Sequence, residues 1–473
     1  MRQASGVYTP WFMKRFRHFL VAAGACVAIV ISAGLVACWD CSGFIPLEIL
    51  RHLERRLDGH PRLQMLGSPA LGAMRWLNDQ LDSDVPASPD SSVEPSAMRE
   101  VPGSLNPFQE SPAIWLLRGE TRKRVGSLAD AAAQAVDGDV VLLQPGVHWT
   151  NGAVWRGKSV SIRGDGGLAR LMASSDLAEG KALLVLGGGS FEVRHLAFQG
   201  ARVADRNGAG IRFEGGRLRV EHCVFQDSES GILINGDPDE ATTEVQVSFT
   251  EFARLGDGMG YAHAVYAGRI RLLELRGNHF HHGKVGHLVK SRAQVSKLVA
   301  NRITDNPGGQ ASYELNFPNG GQVFLIGNVI GQSRSTQNGA VLSMLEEGQP
   351  WARNELHAVH NSWVNLHPFG GRFLQVAGPL SGGQVWRNLV VGRGTWRVPE
   401  GVPSGGNLRV GLDAVQDAQA GDLRPGHWQP EWVADSPPLV DGAEVSALTE
   451  VYRHPLRVEP LPKGRALLVG ALQ

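Results

Sequence analysis

The sequence predicts an all-β fold, a coil of short stacked strands, on three observations. A register recurs about every 27 residues in Val193–Phe198, Val220–Phe225 and Val247–Phe252, and continues through Leu275–Phe280, Leu298–Ile303, Leu325–Ile330, Ala358–Trp363 and Val385–Val390. The apolar residues of each unit alternate, are largely β-branched or aromatic, and are punctuated by Gly, Asn and Asp, which is the pattern of short strands and tight bends. One position of the unit becomes asparagine and stays so, at Asn278, Asn301, Asn328, Asn361 and Asn388. A unit of this length cannot bury its own apolar face, so successive units stack into one continuous core. A leucine-rich repeat would carry a denser leucine framework.

The five asparagines therefore form a ladder at one corner of the coil. Stacked roughly 4.8 Å apart, each side chain bonds backbone groups at the bend and the amide of the next coil. Asparagine also tolerates bend conformations, so the ladder is read as scaffold and not as a ligand site.

Taken from the start of the chain, residues 1–40 read as a membrane anchor or signal segment. Phe19 to Val36 is almost wholly apolar and follows Lys14, Arg15, Arg17 and His18, the arrangement of an export signal or an anchor whose basic end stays in the cytoplasm. This places the remainder in the bacterial periplasm, tethered to the inner membrane. Leu35-Val-Ala-Cys38 also resembles a bacterial lipoprotein processing site, with Cys38 as the lipidated residue; an uncleaved helix, a lipoprotein and a cleaved signal are all open. Cys38 and Cys41 could alternatively form a redox pair. Residues 41–82 carry apolar side chains at helical spacing with Arg51, Glu54, Arg55 and Arg56 on another face, so a helical juxtamembrane segment is expected. The stretch 83–112 is rich in Pro, Ser and Asp and reads as a linker.

The coil occupies 113–473. It opens on Ser127–Val136, a helix capped by Ser127 whose alanines suit close packing over the open end. An uncapped end would expose the core and the strand edges. Cys223 falls on a ladder position and reads as an inert core thiol.

The capping helix, the Gly138-Asp139 turn, the Leu142-Leu-Gln-Pro-Gly146 strand and Ser159-Val-Ser-Ile-Arg-Gly-Asp-Gly-Gly167 resemble the opening of pectin-lyase-like right-handed parallel β-helix proteins. Asp435-Ser-Pro-Pro-Leu-Val-Asp-Gly-Ala443 is similar to the segment with which many of them close their last coils. The resemblance covers roughly residues 120 to 473 and implies the right-handed fold. Most members handle carbohydrate, commonly acidic polysaccharide, although a fold alone does not define a reaction.

The chain holds 46 basic and 46 acidic residues, so no overall charge argues for nucleic acid. Locally, Arg269, Arg271, Arg276, Lys284, Lys290, Arg292, Lys297 and Arg302 crowd three coils with Glu274 as the one acid between them, and His263, His279, His281, His282 and His287 share the stretch. A groove there would attract a polyanion, unless the charges lie on different faces and merely solvate the coil. His279, His281 and His282 fit turn or surface positions; with no cysteine or nearby carboxylate at useful spacing, they are not read as a zinc site.

Counting from the ladder aligns Val265, Leu288 and Leu315 as inward residues. Ala264, His287 and Glu314 then share one outward column, and Tyr266, Val289 and Asn316 the next. Lys290 falls at an inward parity near a strand end, an odd place for a lysine.

The segments Gly286–Arg292 and Ser312–Gly321 are similar in layout to β-helical lyases that cleave chondroitin and alginate. There a Lys-Ser on one strand acts with an arginine on the next coil: the lysine removes the proton beside the uronate carboxylate and the arginine assists the leaving group. Lys290-Ser291 matches the first element; Phe317, Pro318 and Asn319 stand where the arginine would fall. β-Elimination needs a cation at the carboxylate, a base and an acid. The catalytic candidates are Lys290, His287, Arg292 and Glu314, with Lys290 or His287 as base, Arg292 as the neutralising cation and Glu314 orienting His287. Substrate-binding candidates are His263, Tyr266, Asn316 and Arg269, with His263 or Tyr266 as acid. No cofactor is required, although Glu314 with Asn316 could hold Ca2+.

Three alternatives stand beside this reading. A hydrolase would pair Glu314 with Glu346, Glu347 or Asp257. A non-catalytic scaffold in making or exporting a surface polysaccharide would only hold the chain. An adhesin would expose apolar stripes, for which Trp351, Trp363, Trp386 and Trp396 are candidates.

Overall fold

A computed structural model describes residues 112–236, 242–434, 448–461 and 467–471. The expected anchor with Cys38, the helical segment, almost all of the linker and the closing segment Asp435–Ala443 lie outside the described residues. No helix among the described residues is long and apolar enough to cross a membrane.

Turns of the chain contribute strands to three sheets of thirteen, eleven and nine strands among the described residues, parallel throughout except for the N-terminal hairpin that edges the first. The result is a parallel β-helix of the right-handed type with about nine turns. In one coil, Leu272–Arg276 lies in the first sheet, His279–His281 in the second and His287–Ser291 in the third. Register between coils follows the repeat: Phe198 faces Phe225, Phe225 faces Phe252 and Phe252 faces Phe280. Their rings stack 4.4 to 5.1 Å apart along the axis, at the spacing that parallel strands impose.

The ladder is present and longer than the five asparagines. Each backbone N–H and each Nδ2 donates to the Oδ1 of the next member, and each Nδ2 also donates to a carbonyl of the preceding coil, from Asn278 to Val247 O through Asn388 to Ala358 O. Thr250 enters it from one side, its N–H donating to Asn278 Oδ1, and Asn407 ends it at the other. The bend conformation itself belongs to the residue before each rung: Gly277, Ala300, Gly327, His360 and Arg387 have φ between 48° and 67°. The asparagines bond the turn and do not themselves adopt the left-handed conformation. Cys223 occupies the equivalent rung as a buried thiol, pushed up to about 12 by burial.

The N-terminal end is closed as expected. Ser127 Oγ accepts from Asp130 N at 3.0 Å, starting helix α1 (Leu128–Gln134), which buries Leu128, Ala131 and Ala132 in the continuous core. An antiparallel hairpin, Ile114–Arg118 with Thr121–Val125, pairs onto the first edge of the first sheet. At the other end, two hairpins, Val415–Asp417 with Asp422–Pro425 and Glu450–Arg453 with Arg457–Pro460, fold back along the coil.

Candidate functional site

The third sheet places the candidates with a different register from the one expected. Val265 pairs with Val289 and Val289 with Leu315, so Tyr266, Lys290, Asn316, Ser343 and Gln375 form one column. Lys290 therefore faces outward, and Ser291, beside Ala267, takes the inward place. The physical reason is an extra inward residue at the start of these strands. A Cβ on Gly210 or Gly231 would strike the Phe225 or Phe252 ring, and Ala264, Leu288, Val341 and Phe373 lie in the core cluster. Two consecutive inward residues break strict alternation. His287 and Lys290 then share the outer face across a buried Leu288-Val289 step.

Glu314 falls on the extra inward position and is fully buried. It does not join His287, and it does not share a face with Asn316, so neither the orienting role nor a Glu314–Asn316 calcium site is assembled. As a carboxylate it has no hydrogen-bond partner on either oxygen, while Gln332, the side chain in hydrogen-bonding range, has already committed Nε2 to Asn338 O and Ala340 O and has Oε1 unpartnered. Burial, with Asp305 adding to it, holds the carboxyl well above its usual range. A protonated Glu314 donating to Gln332 Oε1 would give that oxygen its partner and remove the buried charge.

The outer face gathers the other candidates. Arg292, at the turn after the strand, donates from Nε to Tyr266 Oη at 3.2 Å, from one terminal nitrogen to Asn319 Oδ1 at 2.5 Å and from the other to Glu347 Oε2 at 2.6 Å. Lys290 Nζ stands 3.6 Å from Glu347 Oε1. Asn319 Nδ2 donates to the Glu347 carbonyl, Asn316 Nδ2 reaches Glu346 Oε1 at 3.4 Å, and Trp351 Nε1 donates to the Arg292 carbonyl. Arg269, Arg292, Asn319, Glu347 and residues 348–350 line an open depression of about 480 Å³.

His263 and His287 lie at the strand starts, stacked 4.6 Å apart, with His263 Nδ1 accepting the His287 N–H. Tyr313 meets His287 edge-on. Burial and the Lys290 charge push His287 down to about 3; burial and the charges of Lys290 and Arg292 push His263 well below its usual value. Both rings are neutral at neutral pH. Burial lowers Lys290 against the opposing pull of Glu347. Burial raises half-buried Glu346, and the neighbouring Glu347 charge adds to this. Glu347 is raised by burial but lowered more by the Arg292 hydrogen bond and the two cations, so it stays ionised.

The remaining charges of the basic stretch are dispersed. Arg271 pairs with Glu244, Arg276 with Glu450 and Lys284 with Asp227. The solvating reading therefore holds for these three, while Arg269 and Arg292 line the depression and Lys290 meets its edge through Glu347. Of the four tryptophans, Trp363 is a core residue, Trp351 is buried beneath Arg292, and Trp386 and Trp396 are partly buried, so they form no exposed stripe.

Sequence reasoning passed over Glu347 and Asn319 as partners, since the loop that carries Glu347 has no periodicity to align. It also misplaced the histidines of the second sheet. His279 and His281 are buried strand residues, and His281 Nε2 stands 2.9 Å from Glu251 Oε1. That carboxylate comes from the preceding coil, where Glu251 faces His279 in register.

Fold and site define a class: a parallel β-solenoid with a cationic, carboxylate-holding cluster on the outer face of one sheet. Beyond the class, comparison with models of known families finds no match, and neither do comparisons with curated proteins or with solved structures.

Proposed function

We propose that this protein is a pectin-lyase-like β-helix that binds an acidic polysaccharide across the outer face of its third sheet, at Lys290 and Arg292. It is tethered to the inner membrane through Phe19 to Val36 and faces the periplasm. The observation that carries the reading is Glu347: its carboxylate is shared between Lys290 and Arg292, the position a uronate carboxylate would take when it displaces the loop. Arg292 suits this task because Tyr266 and Asn319 hold its planar fork, and a preorganised guanidinium recognises carboxylates with little ordering cost.

If the chain is cleaved, the geometry supports elimination. With the uronate carboxylate on Arg292, Lys290 in its deprotonated form takes the adjacent carbon-bound proton. A carbon–carbon double bond forms as the glycosidic carbon–oxygen bond breaks, the electron pair leaves on that oxygen, and Tyr266 Oη supplies its proton. Burial favours the neutral form of Lys290 that the step requires. The neutral histidines His263 and His287 flank the site without adding charge.

The scaffold reading rests on a specific observation of its own. Beyond Lys290 the outward column continues as Asn316, Ser343 and Gln375, all uncharged, with Asn316 and Ser343 buried and Gln375 partly exposed, so it carries no second cation. Incubating the full-length protein with alginate, pectate, chondroitin and heparin separates the two. Ultraviolet absorbance from unsaturated ends that disappears in Lys290→Ala supports the lyase; saturable binding without product supports the scaffold. Product that survives Lys290→Ala, or no binding to any of the four, overturns the assignment of this site.

A further inference from the structure

Outward residues of a solenoid sheet ordinarily meet water, but the outer face of the second sheet is buried along much of its length, including a stretch of ionisable side chains. Strand alternation turns Phe252 and Phe280 into the core and leaves Glu251, His279 and His281 on the outer face. There the C-terminal hairpin covers them: Tyr452 is buried, and His454 meets the His279 ring edge-on at 4.9 Å. All three side chains are less than one-tenth exposed.

Their polar atoms are incompletely matched within the protein. His281 Nε2 lies 2.9 Å from Glu251 Oε1, and His281 Nδ1 lies 2.6 Å from His282 Nδ1. His279 stacks on His281 at 4.3 Å, yet its own Nε2 is buried with no hydrogen-bond partner. A buried, unpaired imidazole nitrogen is a standing cost, and nothing in the solenoid requires a histidine there: the equivalent positions of the flanking coils are Glu251 and Arg302. One ligand atom from each of Glu251, His279 and His281 lies within 4.8 Å of the others, so small side-chain rotations converge them on one point.

We propose that Glu251, His279 and His281 form a transition-metal site, of the kind that takes Zn2+, sealed beneath the C-terminal hairpin. Two imidazoles and one carboxylate are a zinc donor set that leaves a coordination position open; they do not supply the oxygen cage that Ca2+ or Mg2+ requires. Arg302, the next residue in the column, works against a cation, but it is turned aside toward Thr304 Oγ1 and the Ala420 carbonyl. The site lies on a different sheet from Lys290 and does not depend on the polysaccharide reading.

The test is titration of the chelator-stripped full-length protein with Zn2+, followed by calorimetry and thermal melting, and with Co2+, followed by visible absorption. One equivalent of each is expected, with a raised melting temperature and cobalt bands of a four- or five-coordinate ion. Loss of a direct ligand in His279→Gln is expected to weaken binding roughly 100-fold or more, beyond what altering an outer partner does. Glu251→Gln keeps the hydrogen bond to His281 and serves as the second variant if His279→Gln does not fold. His287→Gln, at the other histidine pair, should bind as the unaltered protein does. Absence of stoichiometric binding in the folded unaltered protein, or binding unchanged in both His279→Gln and Glu251→Gln, overturns the proposal.

Discussion

Replacing Asn328 with alanine tests whether the ladder is the scaffold it is read to be. Asn328 Oδ1 accepts from the Asn301 N–H and from Asn301 Nδ2, each at 2.9 Å; its Nδ2 donates to Leu298 O at 2.8 Å and to Asn361 Oδ1 at 3.0 Å. Two of the four partners keep another bond, since Asn301 Nδ2 still reaches Leu275 O and Asn361 Oδ1 still receives the residue 328 N–H. Asn328→Ala therefore strands the Asn301 N–H and removes a donor from Leu298 O in a site with no exposed surface. A stranded buried group costs about 1–3 kcal/mol. With the second loss and a small cavity the sum is about 3–5 kcal/mol. Asn407 ends the ladder and is partly exposed, so water replaces its bonds and Asn407→Ala costs only about 1 kcal/mol. Urea unfolding of the full-length variants measures both. Equal costs for the two, or a cost below about 1 kcal/mol for Asn328→Ala, would refute the ladder as a cooperative support.

Three further outcomes follow from the same structure. A neutral native Glu314 binds a proton that the unfolded chain releases above its ordinary carboxylate pKa, so it contributes stability that falls as pH rises. Glu314→Gln removes this term: the variant gains on the unaltered protein from about pH 4.3 upward, at no more than about 1.4 kcal/mol per pH unit, and a pH-independent difference in unfolding midpoints would contradict it. His282 and His454, pushed to about 4 by burial, and His287, pushed to about 3, act in the opposite sense. They stay neutral when folded and protonate when unfolded, so melting temperature should fall as pH drops from about 6.5 toward 4; a melting temperature flat over that range would show the rings to be exposed. Glu347→Ala frees Lys290 and Arg292 and should raise affinity for acidic oligosaccharides about 10-fold, equivalent to about 1.4 kcal/mol. Unchanged or weakened binding in calorimetry would mean that Glu347 does not occupy the ligand's place.

The fold was legible because its signal is repeated: the Phe198, Phe225, Phe252 and Phe280 column and the asparagine rungs each state the same register several times over. The site was legible as a neighbourhood, and Lys290, Arg292, Tyr266, His263, His287 and Asn316 do share the outer face. Its register was not, because alternation was counted as strict while the third-sheet strands carry two inward residues in a row. Gly210, Gly231 and Ala264 mark the first of those residues by their small size, a signal that Leu288 and Glu314 then hide. A glutamate at that place looks like a surface residue in sequence and is a buried acid in the fold. Glu251 and His279 are 28 residues apart and their juxtaposition follows from the coil length, so it could have been counted. The cover laid over them by the hairpin near Tyr452 could not, since it breaks the repeat. Glu347 lies on a loop with no period at all.

The central claim is that the third-sheet face recognises a carboxylate through Arg292 and Lys290. Its most direct measurement is calorimetric titration of the full-length protein with uronate oligosaccharides and with the same oligosaccharides after their carboxyl groups are reduced to alcohols. The account predicts saturable binding of the acidic forms that is lost on reduction and lost again in Arg292→Ala. Binding that is indifferent to both the carboxyl group and Arg292 would contradict it.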